Sequence, residues 1–204
     1  MDSASSSTTD ALTLLVEGND RFRRGEPVHP HQSPSRVAEI AGHQEPFATV
    51  LTCSDSRVSE AVVFDRGLGD IFGIRTAGHV VDRSVLATVE FATADLGVPL
   101  LVVLGHENCG AVGAALRVMD SGETLPGSMP YLSDAIEAHV HEHGSVRDLT
   151  GDALTSAAVR CHVRETVNDL VAQSPILQAA QADGSLLIAG AVYSLATGEV
   201  EFLA

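Results

Sequence analysis

Lysine and tryptophan are absent from this 204-residue sequence, and all twelve of its basic residues are arginine. The missing lysine excludes a Schiff-base amine and a P-loop lysine from its chemistry. Positive charge is scarce overall: 12 basic against 27 acidic residues give a net charge of −15. Nucleic-acid backbones and anionic membranes are repelled by such a surface, so neither is expected as a partner, and high solubility accounts for the charge. No apolar run approaches the roughly 20 residues a membrane helix needs. The opening "MDSASSSTTD" has no basic n-region and no apolar h-region, and reads as a disordered tail over 1–9 rather than a signal peptide. Three cysteines, an odd number, in a chain without such a signal indicate a reducing, cytoplasmic setting. Thiols there are available as ligands or nucleophiles.

A hydrophobic fraction of 45% in a chain of this length suits one domain, here 10–204, with a core of its own. Leu12, Leu15, Val16 and Phe22 recur at helical spacing, with Asp10 as N-cap and Gly25–Pro27 as the stop; this helix opens an N-terminal arm over about 10–42 that is placed to pack on a neighbour. A short helix is expected near 35–42. "PFATVLTC" (46–53) reads as a strand buried on both faces, 70–76 as a second strand and "PLLVVLG" (99–105) as the strongest strand, and 185–195 is the last strong one, paired with "GEVEFL" as an edge hairpin. Helices are expected within 59–67, from a cap at Asp82 or Ser84 to Gly97, after Cys109, over 131–143 and through Val159 to Val171. Strands alternating with helices define an α/β fold with a mostly parallel central sheet flanked by helices. Ligands in such folds bind beyond the carboxyl ends of the strands.

"LTCSDSRV" (51–58) sets a thiol, a carboxylate and a guanidinium two residues apart at one such end. Residues two apart on a strand point the same way, which puts Cys53, Asp55 and Arg57 on one side. "LGHENCGAV" (104–112) adds His106 and Cys109 where another strand gives way to a helix. Two thiolates and an imidazole are ligands that Zn²⁺ accepts, and three protein ligands leave the fourth position of a catalytic site. The helix N-terminus after Cys109 favours a thiolate or an anion. On spacing alone, a packed histidine and an unrelated surface cysteine remain the alternative.

The two segments in this order resemble the signatures of the β-class carbonic anhydrases. "FDRGLGDIFGIRTAGHVV", "SVLATVEFA" and "VRCHVRETV" extend the resemblance over most of residues 10–195. It implies zinc on Cys53, His106 and Cys109, and an Asp55–Arg57 dyad. The reaction implied is reversible hydration of CO2 to bicarbonate and a proton, a lyase activity. Zinc would bring bound water to a pKa near 7, Asp55 would orient the resulting hydroxide, and Arg57 would keep Asp55 off the metal. Gln44, Phe72, Ala77, Phe91 and Gly110 fall on substrate-binding positions, Gln44 acting across a homodimer; a homotetramer is equally compatible. Phe91 stands where some members have tyrosine. Members with a bicarbonate effector site carry tryptophan at the position of Val50, so that site is expected to be missing and the fourth zinc position open. Two alternatives stand beside this reading: a related zinc hydrolase of carbonyl sulfide or carbon disulfide, and a non-catalytic zinc-binding protein.

Other features carry plainer readings. Gly67–Leu68–Gly69 is a turn rather than a dinucleotide loop, since no helix opens directly after it. His139, His141 and His143 are read as a solvated helix face, His79 as a structural hydrogen-bonder, and Cys161 beside His162 as a packed thiol.

Overall fold

β1 (Ala48–Cys53) and β3 (Leu100–His106) are buried along their whole length, which is why ATVLTC and LLVVLGH are apolar on both faces. The computed structural model describes residues 7–142, 146 and 149–203. They contain a five-stranded sheet in the order β2-β1-β3-β4-β5, completed by β2 (Ile71–Thr76), β4 (Leu187–Tyr193) and β5 (Val200–Phe202). β1 to β4 run parallel, and β5 returns antiparallel on the edge as the hairpin expected from its sequence.

Alternation along β1 divides the core into two layers. Ala48 and Val50 join Leu100, Val102 and Leu104 under α1 (Thr8–Arg24) and α3 (Glu60–Val63). Leu51 and Cys53 join Leu101 and Val103 under α4 (Arg83–Ala94), α5 (Gly110–Ser121), α6 (Met129–Glu142), α7 (Gly151–Gln173) and α8 (Pro175–Ala182). Each fully buried Val or Leu contributes about 1.5–3 kcal/mol, so both layers are held mainly by apolar burial. α2 (Pro34–Ile40) precedes β1 and has no buried residue.

α1, the first helix of the expected arm, lies against its own sheet, with Ala11 and Leu15 fully buried. Gly18 permits the approach, since a Cβ there would come within 1.8 Å of the Phe64 carbonyl oxygen. Asn19 locks it, donating to the carbonyls of Val63 (3.1 Å) and Gly198 (2.8 Å) and accepting from the Val200 N–H (2.9 Å). The cap is Ser7 rather than Asp10, which is the third helical residue of a capping box. Thr8 and Thr9 of the expected tail are therefore helical, while residues 1–6 lie outside the described residues. α8 was not anticipated, although Ser174 as cap followed by Pro175 is a helix-start signal.

Asp65 ties the 26–33 segment to this layer. Its buried carboxylate accepts from the N–H groups of Val28 (3.0 Å) and His29 (2.9 Å) and from Arg21 Nε (2.7 Å). Burial alone would raise its pKa; the two N–H donors and Arg21 outweigh that and hold it below the ordinary value. The stabilisation is therefore present above the unfolded-state pKa of about 3.9 and is lost as pH falls through the folded one. Asp65→Ala is expected to cost about 3 kcal/mol, because two backbone donors lose their acceptor along with a partly buried ion pair. Urea unfolding should show the midpoint falling by about 1 M.

Between β2 and β3, β1 marks the point where the chain connections leave in opposite directions, opening a crevice beyond the strand ends. Cys53 is the last residue of β1 and His106 the last of β3. α5 begins at that crevice with Cys109 as its N-cap.

Candidate metal centre

The three side chains converge as the strand ends require. Their ligand atoms all lie within 4.8 Å of one another, and all three residues are buried. The Cys53 and Cys109 sulfurs are 4.0 Å apart, close to the roughly 3.8 Å spanned by two Zn–S bonds of about 2.3 Å at a tetrahedral angle. His106 places its Nδ1 2.8 Å from the Glu107 carbonyl, so Nδ1 is the donor and Nε2 keeps its lone pair. That Nε2 is buried and has no hydrogen-bond partner. A buried acceptor without a partner costs free energy, and a cation among these donors would satisfy it.

The electrostatics agree. The Cys53 pKa is held down, first by the hydrogen bond from Cys109, against the opposing effect of burial, and further by the nearby His106 ring and the N–H groups of Gly78 and Asp55. The same sulfur contact, with burial, pushes the Cys109 thiol up. A thiophilic cation bound between the two sulfurs would take the place of their protons. Gly78 N–H lies 3.3 Å from the Cys53 sulfur.

Asp55 stands beside the triad, its Oδ2 3.9 Å from His106 Nε2. Arg57 grips it through Nε (2.9 Å) and Nη2 (2.7 Å), and the Arg57 N–H adds a third bond to Oδ1 (2.9 Å). This fork holds the carboxyl well below the usual carboxylate range. β1 ends at Cys53, however, so strand alternation does not carry Asp55 and Arg57 to one side; a turn closed by Val58 N–H on the Asp55 carbonyl (3.0 Å) brings them together. Arg57 also reaches the Asn108 carbonyl (3.2 Å), joining the two signature segments. Asn108 has φ +51°, a backbone state asparagine tolerates.

Of the five positions expected to bind substrate, Phe72 and Phe91 meet, with ring centroids 6.3 Å apart, and Phe91 remains 46% exposed. Ala77 opens the 3-10 turn Ala77–His79 and Gly110 opens α5; both are exposed and adjoin Gly78 and Cys109 in sequence. Gln44 is exposed on the loop before β1. Val50 is sealed in the layer beneath α1.

Arg75 was overlooked. Its guanidinium donates to the carbonyls of Cys53 (3.2 Å) and Asp55 (2.9 Å), and a charged residue inside "DIFGIRT" was the available signal. Two histidine readings also need correction. Neither ring nitrogen of His79 has a hydrogen-bond partner among the described residues, because its positive φ of +46° turns the ring inward against His162. His139 is not solvated but faces α7, bonded to His162 and Asp169. His141 is on the exposed face, beside Glu137, and His143 lies outside the described residues. The Cys161 thiol donates to the His139 carbonyl at 3.0 Å.

A parallel sheet whose switch point gathers two thiols, an imidazole and a restrained carboxylate defines an α/β protein with a site that could hold a metal ion. Comparison with known proteins narrows this class: residues 48–200 match the family described as carbonic anhydrase. The chain is 45% identical over 188 residues to carbonic anhydrase 2 of Mycobacterium tuberculosis, covering 92% of this chain and 89% of that protein. It is 42% identical over 191 residues to the carbonic anhydrase of Mycolicibacterium smegmatis, covering 94% and 91%. Among solved structures, the Coccomyxa β-carbonic anhydrase in complex with acetazolamide superposes with a TM-score of 0.75 at 29% identity, covering 94% of this chain and 86% of that one. The chain belongs to the carbonic anhydrase family, in its β class.

Proposed function

We propose that this carbonic anhydrase uses zinc held by Cys53, His106 and Cys109 to interconvert CO2 with bicarbonate and a proton, and that it works in the cytoplasm as a homodimer or homotetramer. The observation that carries the metal assignment is the buried, partnerless His106 Nε2 gathered within 4.8 Å of two buried sulfurs that are themselves 4.0 Å apart. Zinc bound there would supply a water acidified to a pKa near 7.

The chain's own groups do the rest. Asp55, ionised because Arg57 grips it, accepts a hydrogen bond from the attacking water and aims its lone pair at the CO2 carbon. Arg75 fixes the backbone on which both Cys53 and Asp55 sit. Phe72 and Phe91, in contact with each other, offer CO2 an apolar surface that does not compete for hydrogen bonds, and Ala77 and Gly110 are assigned to the same pocket by the family resemblance. The exposure of Phe91 and Gln44 in the isolated chain supports a pocket completed by a second copy. Fork-held Asp55 supports an open fourth position, and buried Val50 supports the lack of an effector site. Among the described residues, no helix is long and apolar enough to cross a membrane.

Metal analysis with stopped-flow CO2 hydration tests this reading. Zinc near one per chain and rapid hydration at alkaline pH are expected, with elution as a dimer or tetramer in sizing. Stoichiometric zinc with turnover of carbonyl sulfide or carbon disulfide but not CO2 would replace the substrate assignment; zinc without any turnover would leave a binding protein.

A further inference from the structure

A second chain of polar groups runs between α6 and α7 and ends at Gly78. Asp169, half exposed, lies 3.1 Å from His139 Nε2; His139 Nδ1 lies 2.8 Å from His162 Nδ1; and His162 Nε2 lies 2.8 Å from the carbonyl of Gly78. Nothing in the reaction assigned above uses these residues.

The partners fix the protons. A carbonyl only accepts, so His162 Nε2 carries hydrogen. Burial pushes the His162 pKa down to about 4, so its ring is neutral and its Nδ1 accepts. His139 Nδ1 must then donate, and its Nε2 faces a carboxylate, which also only accepts.

Gly78 is where this chain meets the metal centre. It sits at φ +64° and ψ 21°, where a Cβ would come within 2.9 Å of the Ala111 methyl, and the next residue, His79, is also at positive φ. Two consecutive left-handed residues are held only when their surroundings impose them. His162 imposes one end by bonding the Gly78 carbonyl and stacking on His79, with centroids 4.4 Å apart. The other end of the residue presents its N–H to the Cys53 sulfur.

From this we infer that His162 is a positioning residue for the metal centre. Its Nε2–H fixes the Gly78 turn so that the Gly78 N–H draws charge from the Cys53 ligand, and His139 with Asp169 selects the tautomer that allows it. The inference rests on the assignment of Cys53 as a metal ligand. Outer-shell hydrogen bonds of this kind are worth about 10- to 100-fold in metal affinity.

Chelator competition for zinc and the sulfur-to-metal charge-transfer band of the cobalt-substituted protein test it together. His162→Phe keeps the ring stack and loses the donor; His162→Gln replaces a donor near the Nε2 position. The Phe variant is expected to bind zinc about 10-fold more weakly and to move the cobalt band to lower energy, as a more electron-rich sulfur should, while Gln restores both. Unchanged affinity and band in the Phe variant, or equal damage in Phe and Gln, would overturn the inference. Should the Phe variant not fold, Asp169→Asn, altered at a half-exposed carboxylate, is read by the same band, and an unmoved band is again fatal. If the unaltered protein binds neither metal, the centre itself is wrong, which is a different failure.

Discussion

Cys53→Ser is expected to yield a folded protein that binds no stoichiometric zinc and hydrates CO2 at the uncatalysed rate. Loss of an outer-shell partner already costs 10- to 100-fold in metal affinity, so loss of a ligand should exceed about 100-fold. Serine is nearly isosteric, but its hydroxyl stays protonated where the Cys53 thiol is held below its ordinary pKa. Zinc prefers a thiolate to a neutral hydroxyl among these donors. The remaining pair, His106 and Cys109, leaves two protein ligands where a catalytic zinc site uses three. Circular dichroism should be unchanged, because Cys53 is one small member of a core layer formed by many apolar residues from five helices and the sheet. Elemental analysis of the purified variant decides the matter before any rate is measured. Zinc at one per chain in Cys53→Ser would remove Cys53 from the ligand set and leave the buried His106 nitrogen to be explained otherwise.

The strands β1 and β3 were legible because burial on two faces writes a continuous apolar run, as in ATVLTC and LLVVLGH, and the stop of α1 because Gly25 takes a left-handed φ. The triad was legible because two strand ends and a helix start can be placed from such runs, and topology then brings them to one crevice. What stayed hidden depends on the third dimension. The side of the sheet taken by α1 follows from Gly18 meeting a backbone oxygen 46 residues later in sequence, at Phe64. The Asp55–Arg57 pairing was anticipated, but from the wrong cause: a turn, not strand alternation, delivers it. His139 carries a helix-face signature identical to that of exposed His141, and only the crossing of α6 with α7 makes one of them a core group. Gly78 and Arg75 act on Cys53 and Asp55 through backbone atoms, which no residue type announces.

The Asp55–Arg57 pair gives the other large expected effect, and the two residues should fail in different ways. Asp55→Ala removes the acceptor that orients the attacking water while leaving the three proposed ligands untouched. Zinc content should hold at one per chain, and kcat/KM should fall by about 10²- to 10⁴-fold, the usual worth of a positioned proton acceptor. Arg57→Ala removes the fork and leaves the carboxylate in place. Oδ2 is already 3.9 Å from His106 Nε2, the atom proposed to face the metal, and Arg57 supplies all three hydrogen bonds that hold the carboxylate, two of them from its guanidinium. Freed from the guanidinium, a carboxylate near a dication is drawn to it and blocks the fourth position. Arg57→Ala should therefore be at least as slow as Asp55→Ala, and removing Asp55 from the Arg57→Ala background should not slow it further. A double-mutant cycle reads this directly: a latch gives strongly non-additive losses, whereas two independent contributions multiply. Multiplied losses would leave Asp55 as an orienting acceptor and make Arg57 a separate contributor, with no switch between them.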